Sequence, residues 1–171
     1  PRRPRARAGC SGPFSAVGRR LAPRQKLVCG GLAGSLPAAI GWTAGTVKLA
    51  WPAAAPALVL AALVFLWTPA HFWALALLYK DDYAKAEYPM MPNVRGEAST
   101  RRQIIVYSVL TAAFSLVLVA TGDAGWIYLA AALVLGYLLV TRSIRMHKAP
   151  DAKRYRSFFF FSITYLGFLL I

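Results

Sequence analysis

The sequence predicts an all-α fold, a polytopic bundle of transmembrane helices, on three observations. Hydrophobic residues make up 58% of its 171 positions and charged residues 15%, with a mean hydropathy of +0.49; an average soluble domain carries roughly 25% charged residues. The apolar residues gather into about five stretches near the length that crosses a bilayer, which is about 20 residues in a helix, the form that pairs every backbone polar group internally. Lastly, 20 Lys and Arg against 6 Asp and Glu give a formal net charge of +14, and their distribution along the chain has the asymmetry of membrane topology.

The first stretch, residues 27–44, is rich in Gly and other small residues that let helices approach closely. The second, residues 52–79, contains Pro56 and Pro69; Pro69 is expected to kink it, because proline removes an intrahelical hydrogen bond and crowds the preceding turn. The third covers residues 104–120 and the fourth residues 126–140. The fifth runs from residue 158 to the chain end at 171, about 14 residues and short for a span, so it reads as a helix cut off. Ahead of all five, residues 1–24 form a basic leader of low complexity, opening "PRRPRAR" and expected to be disordered. This abnormal start also suggests a fragment. Cys10 and Cys29 fit no disulfide framework or metal motif.

With the N-terminus cytoplasmic, eight basic residues precede the first stretch. Five (Lys80, Lys85, Arg95, Arg101, Arg102) follow the second, and six (Arg142, Arg145, Lys148, Lys153, Arg154, Arg156) follow the fourth. Only Lys48 falls on the other side, so the positive-inside rule fixes the orientation. Trp42, Trp51 and Trp126 sit at the outer ends, where amphipathic rings favour the headgroup level. This placement accounts for the basic charge through a lipid bilayer partner, without nucleic acid.

Four of the six acids, Asp81, Asp82, Glu87 and Glu97, lie in the cytoplasmic connection after the second stretch. Carboxylates at a membrane face can hold Mg²⁺, which commonly takes one or two of them together with substrate phosphate oxygens. Lys80, Lys85 and Arg95 then supply charge for the remaining phosphate oxygens. The plainer alternative is a surface pair: on a continuing helix Asp81 and Lys85 face each other at i,i+4, while Asp82 points about 100° away. His71, inside the apolar run beside Trp67, Phe72 and Trp73, needs a partner in that setting. Either it serves a ligand, or it hydrogen-bonds to a neighbouring helix.

The segment "TPAHFWALALLYKDDYAKAEYPMMP" resembles the heme O synthase (protoheme IX farnesyltransferase) branch of the UbiA-type membrane prenyltransferases, whose members read approximately T-P-P-H-F-W-A-L-A and then D-Y-x-x-A-x-x-P-M-L-P. The likeness rests on Pro69, His71, Phe72, Trp73, Ala74, Leu75, Asp82, Tyr83, Ala86, Pro89, Met90 and Pro92, with Gly96 beyond them. "GGLAGSLPAAIGW", residues 30–42, is similar to the helix that precedes this segment in the family. The resemblance covers residues 25–171 and makes them the C-terminal part of a bundle of about nine helices.

It implies transfer of farnesyl from farnesyl diphosphate to a vinyl group of protoheme IX, giving heme O, with Mg²⁺ on the diphosphate and heme as substrate. It further implies that Asp82 belongs to an aspartate-rich metal motif with Asp81 as helper, that Tyr83 lies near the diphosphate, and that His71 contacts heme. A multi-pass protein of the bacterial cytoplasmic membrane follows, or alternatively of the mitochondrial inner membrane. Three departures matter: Ala70 stands for a common Pro, Glu87 stands for a common Gly, and the N-x-x-x-D-x-x-x-D motif of an early helix is absent. The chain is therefore expected to be incomplete, through truncation or a shifted reading frame, and inactive alone. The alternatives are another UbiA-type aromatic or tetrapyrrole prenyltransferase and a noncatalytic membrane scaffold.

Overall fold

The computed structural model describes residues 55–87, 90–120 and 125–170, together with Ser35, Pro37, Ile40 and Gly41. Every regular element among the described residues is helical. Numbered from the first fully described helix, they are α1 (Ala55–Leu78), α2 (Lys80–Lys85), α3 (Met91–Arg95), α4 (Glu97–Ser115), α5 (Val117–Ala120), α6 (Trp126–Lys148) and α7 (Ala152–Leu170). The leader and most of the first predicted stretch lie outside the described residues.

Among the described residues, three helical segments are long and apolar enough to cross a membrane: Ala55–Leu78, Glu97–Val119 and Trp126–Lys148. α7 falls short because Lys153, Arg154 and Arg156 occupy its first turns. Its start also corrects the sequence reading, which began this helix at 158. α4 likewise begins seven residues before the predicted 104, and α6 runs on past 140 to Lys148. In each case the apolar run marks the lipid-facing length while the helix continues into polar sequence. α6 stops only where Pro150 pushes Ala149 into extended backbone (φ −133°, ψ 89°). α1 continues through Pro69, which leaves the Phe65 carbonyl without its usual helical donor.

The four long helices form a ring in which α1 packs on α4, α4 on α6, α6 on α7, and α7 back on α1. Lipid tails are as apolar as leucine, so burial alone does not hold such helices together, and close contact through small residues does much of the work. The buried face of α4 is accordingly Thr100, Ile104, Ser108, Thr111 and Ser115, and that of α6 is Ala132, Gly136, Leu139, Ser143 and Met146. At their crossing, a Cβ added to Gly136 would stand 3.1 Å from the Ala112 Cβ.

The hydroxyls in these faces largely bond to their own helix. Thr111 donates to the Tyr107 carbonyl (2.7 Å), Ser115 to Ala112 (2.8 Å), Ser143 to Val140 (2.7 Å) and Thr68 to Val64 (2.7 Å). Those bonds let a small polar group enter an apolar interior without an unmet donor. Larger side chains fill the remaining space, with Phe158 and Tyr165 of α7 almost wholly enclosed.

Candidate functional site

The predicted site residues fall into two settings along α1 and the short helices after it. His71 sits deep in α1 on the face that meets α7. Its ring is 8% exposed and is stacked between Trp67 and Phe159, with centroids 4.4 Å away on both sides, while Phe72 meets it edge-on. Nδ1 lies 2.7 Å from the Ser162 hydroxyl. That hydroxyl donates its one proton to the Phe159 carbonyl (2.7 Å), so the imidazole donates from Nδ1 and keeps its lone pair on Nε2. Trp67 Nε1 donates to the Ser162 carbonyl at 2.8 Å, which clamps α1 to α7 at the same level. A hydrogen bond to a neighbouring helix is thus present at His71. With both ring faces covered, only an edge of the imidazole remains for a ligand.

Nothing in the sequence pattern singled out Ser162 as the partner. It lies 91 positions away, at the end of the run "FFFF".

The acids lie at the other extreme. α1 ends at Leu78, and α2 carries Asp81 and Asp82 in its first turn, exposed, with Tyr83 half-buried beside them. At about 1.5 Å per residue, Asp82 is roughly 16 Å along the chain axis from His71. The predicted Asp81–Lys85 pair does not form. Lys85 instead lies 3.7 Å from Asp82, at i,i+3, with the Asp82 side chain 71% exposed. An ion pair so long and so wet contributes little, and it leaves the Asp82 carboxylate open to a stronger cation.

Glu87 follows at φ +53°, the left-handed region just past the α2 C-terminus. An L side chain is disfavoured there, so the position suits glycine better than glutamate. Gly96, between α3 and α4, adopts φ +80°, ψ 155°, a conformation essentially reserved for glycine.

Lys80 is tied down. Its ammonium donates to Glu97 Oε1 at 2.6 Å, and that hydrogen bond, with the attraction of the carboxylate, raises the lysine pKa above its ordinary value. Glu97 Oε2 accepts from Arg101 at 3.1 Å, and Arg101 also donates to the Tyr155 hydroxyl at 3.2 Å. The network ties the end of α1 to α4 and α7. In this structure Lys80 braces these helices through Glu97. Arg101, only 12% exposed, was missed as part of this brace, although its i,i+4 spacing from Glu97 was a readable signal. Arg95 ends α3 and is exposed, and the Asn93 amide of that helix reaches the Lys80 carbonyl at 3.4 Å.

Among the described residues, no group of three or more His, Cys, Asp or Glu side chains is placed to hold a metal ion. Asp81 and Asp82 are nonetheless hard, exposed oxygen donors, and two carboxylates suit Mg²⁺ when phosphate oxygens complete its shell.

Residues 22–164 match the profile of the UbiA prenyltransferase family. The chain belongs to that family. Among curated relatives, the protoheme IX farnesyltransferase of Gloeobacter violaceus is 46% identical over 148 residues, covering 86% of this chain and 47% of that protein. The Synechococcus elongatus protein of the same name is 48% identical over 147 residues, covering 85% of this chain and 45% of its own length. The archaeal relative from Halobacterium salinarum, also so named, is 45% identical over 148 residues and covers 33% of its own length. The chain thus spans about half the length, or less, of the curated relatives it matches. No solved structure matches it.

Proposed function

We propose that this UbiA-family chain is the C-terminal part of a heme O synthase, in which α2 contributes one side of the diphosphate site. The observation that carries the reading is Asp82: a carboxylate in the first turn of a short helix, exposed at the basic end of the bundle and, among the described residues, ion-paired only through a long contact to Lys85. The identity to proteins named protoheme IX farnesyltransferase supports the choice of farnesyl diphosphate and protoheme IX. The basic connections support a cytoplasmic orientation in a bacterial cell membrane.

In the proposed reaction the C1–O bond of farnesyl diphosphate breaks as the terminal vinyl carbon of heme bonds to C1. Diphosphate departs, and water adds to the inner vinyl carbon and loses a proton, leaving a hydroxyethylfarnesyl group. Asp82, with Asp81, would hold Mg²⁺, which when bound neutralises the leaving diphosphate. Lys85 and Arg95 face the remaining phosphate charge, and Tyr83 lines the approach. The Lys80–Glu97–Arg101 network fixes the base on which α2 and α3 stand. His71 orients heme through its Nε2 edge, its tautomer set by Ser162.

The test is farnesyl transfer by the complete enzyme carrying Asp82→Ala. Loss of about 100-fold or more in kcat is expected, the scale of removing a group that stabilises developing charge. Full retention would overturn Asp82 as a Mg²⁺ ligand and leave the α2 acids as a solvated surface.

A further inference from the structure

The cytoplasmic ends of α6 and α7 hold a second charged feature, away from α2. Arg142, Arg145 and Arg154 line one cleft of about 360 Å³, with Met146, Ser157 and Phe158 completing its walls. None of the ion pairs among the described residues engages these arginines, which instead share the cleft as like charges. Asp151, the acid in the α6–α7 connection, is not part of the lining.

Two of the three guanidinium groups are held by contacts, while Arg145 and Arg154 stay open to solvent. Arg142 donates to the Ser157 hydroxyl at 3.2 Å and lies 4.1 Å over the Phe161 ring. Arg154 donates to the Arg145 carbonyl at 3.1 Å. Holding three cations together costs repulsion, and an anion in the cleft removes that cost. Planar guanidinium forks match the paired non-bridging oxygens of a phosphate.

We propose that this cleft binds a phosphate group, and that its depth selects the headgroup of an anionic phospholipid. Arg142 lies six residues before the α6 C-terminus at Lys148, about 9 Å along the axis. It therefore stands below the cytoplasmic end of the helix, where lipid phosphates lie. Basic pockets between membrane helices on this face suit such headgroups. The first turn of α7, starting at Ala152, adds the positive end of a 19-residue helix. No residue of α2 or α3 lines the cleft; those helices pack on α1 and α4.

The test uses the intact protein in neutral detergent micelles. Fluorescent phosphatidylglycerol is titrated in one arm, and inorganic diphosphate competes with it in the other. Combined Arg142→Gln, Arg145→Gln and Arg154→Gln is expected to weaken lipid binding about tenfold or more. Arg156→Gln, equal in charge change per site but outside the cleft, leaves binding unchanged. The matching Arg→Lys set, which keeps the charge but not the fork, gives an intermediate affinity and guards against simple misfolding. Competition by phosphatidylglycerol alone assigns a lipid; displacement by diphosphate at equal concentration assigns a free phosphate and overturns the lipid source. Wild-type affinity in the glutamine set, or an equal loss in Arg156→Gln, overturns the site.

Discussion

His71 and Asp82 lie eleven residues apart in one motif, yet their surroundings are opposite. His71 is enclosed by two stacked rings, an edge-on ring and a hydroxyl. Among the described residues, Asp82 has one ion pair, an exposed one at 3.7 Å. A side chain whose neighbours already satisfy it has a structural role whatever else it does, whereas an exposed carboxylate owes little to the fold. The difference predicts that stability and binding separate along the motif: changes at His71 disturb both, and changes at Asp82 disturb binding alone.

The largest structural effect should come from His71→Ala. Removing a buried ring from between Trp67 and Phe159 is expected to cost about 2–5 kcal/mol, the range for deleting large core side chains. In the complete enzyme, it should also weaken heme binding more than farnesyl diphosphate binding. Thermal unfolding and heme titration check the two parts, and unchanged heme affinity would confine His71 to packing. Ser162→Ala sharpens the contrast: losing only the hydrogen-bond partner should cost about 1 kcal/mol.

Next in size is Gly96→Ala in the α3–α4 connection. A Cβ meets no neighbour within 4 Å there, so the expected loss of about 1–3 kcal/mol in thermal unfolding is purely backbone strain. The smallest effect is a gain. Glu87→Gly should relieve the left-handed conformation and raise stability by up to about 1 kcal/mol. If prenyl transfer also falls in that variant, Glu87 belongs to the site and is not merely a strained helix end.

Much of this architecture was legible because a membrane imposes simple rules. Apolar length revealed α1, α4 and α6, and the placement of lysine and arginine revealed which ends share a side. Helix ends were less legible, since polar sequence such as "TRSIRMHK" continues α6 with no change in backbone need until Pro150. The departure at Glu87 was visible in sequence, but its reason, φ +53°, was not. Contacts between distant helices were hidden altogether. Neither the His71–Ser162 bond nor the reach of Arg101 to Tyr155 leaves a periodic trace, because such pairs depend on helix register across the ring. Lys80 shows the consequence: its charge was legible, and its Glu97 partner, 17 residues on, was not.

The central claim is that Asp82 helps hold a magnesium diphosphate at the basic end of the bundle. It is tested most directly by the affinity of the complete enzyme for farnesyl diphosphate, measured with and without Mg²⁺, in the native protein and in Asp82→Asn. The native protein should bind more tightly when Mg²⁺ is added, and Asp82→Asn should lose most of that gain while unfolding at the same temperature. An equal Mg²⁺-dependent gain in both proteins would contradict the claim.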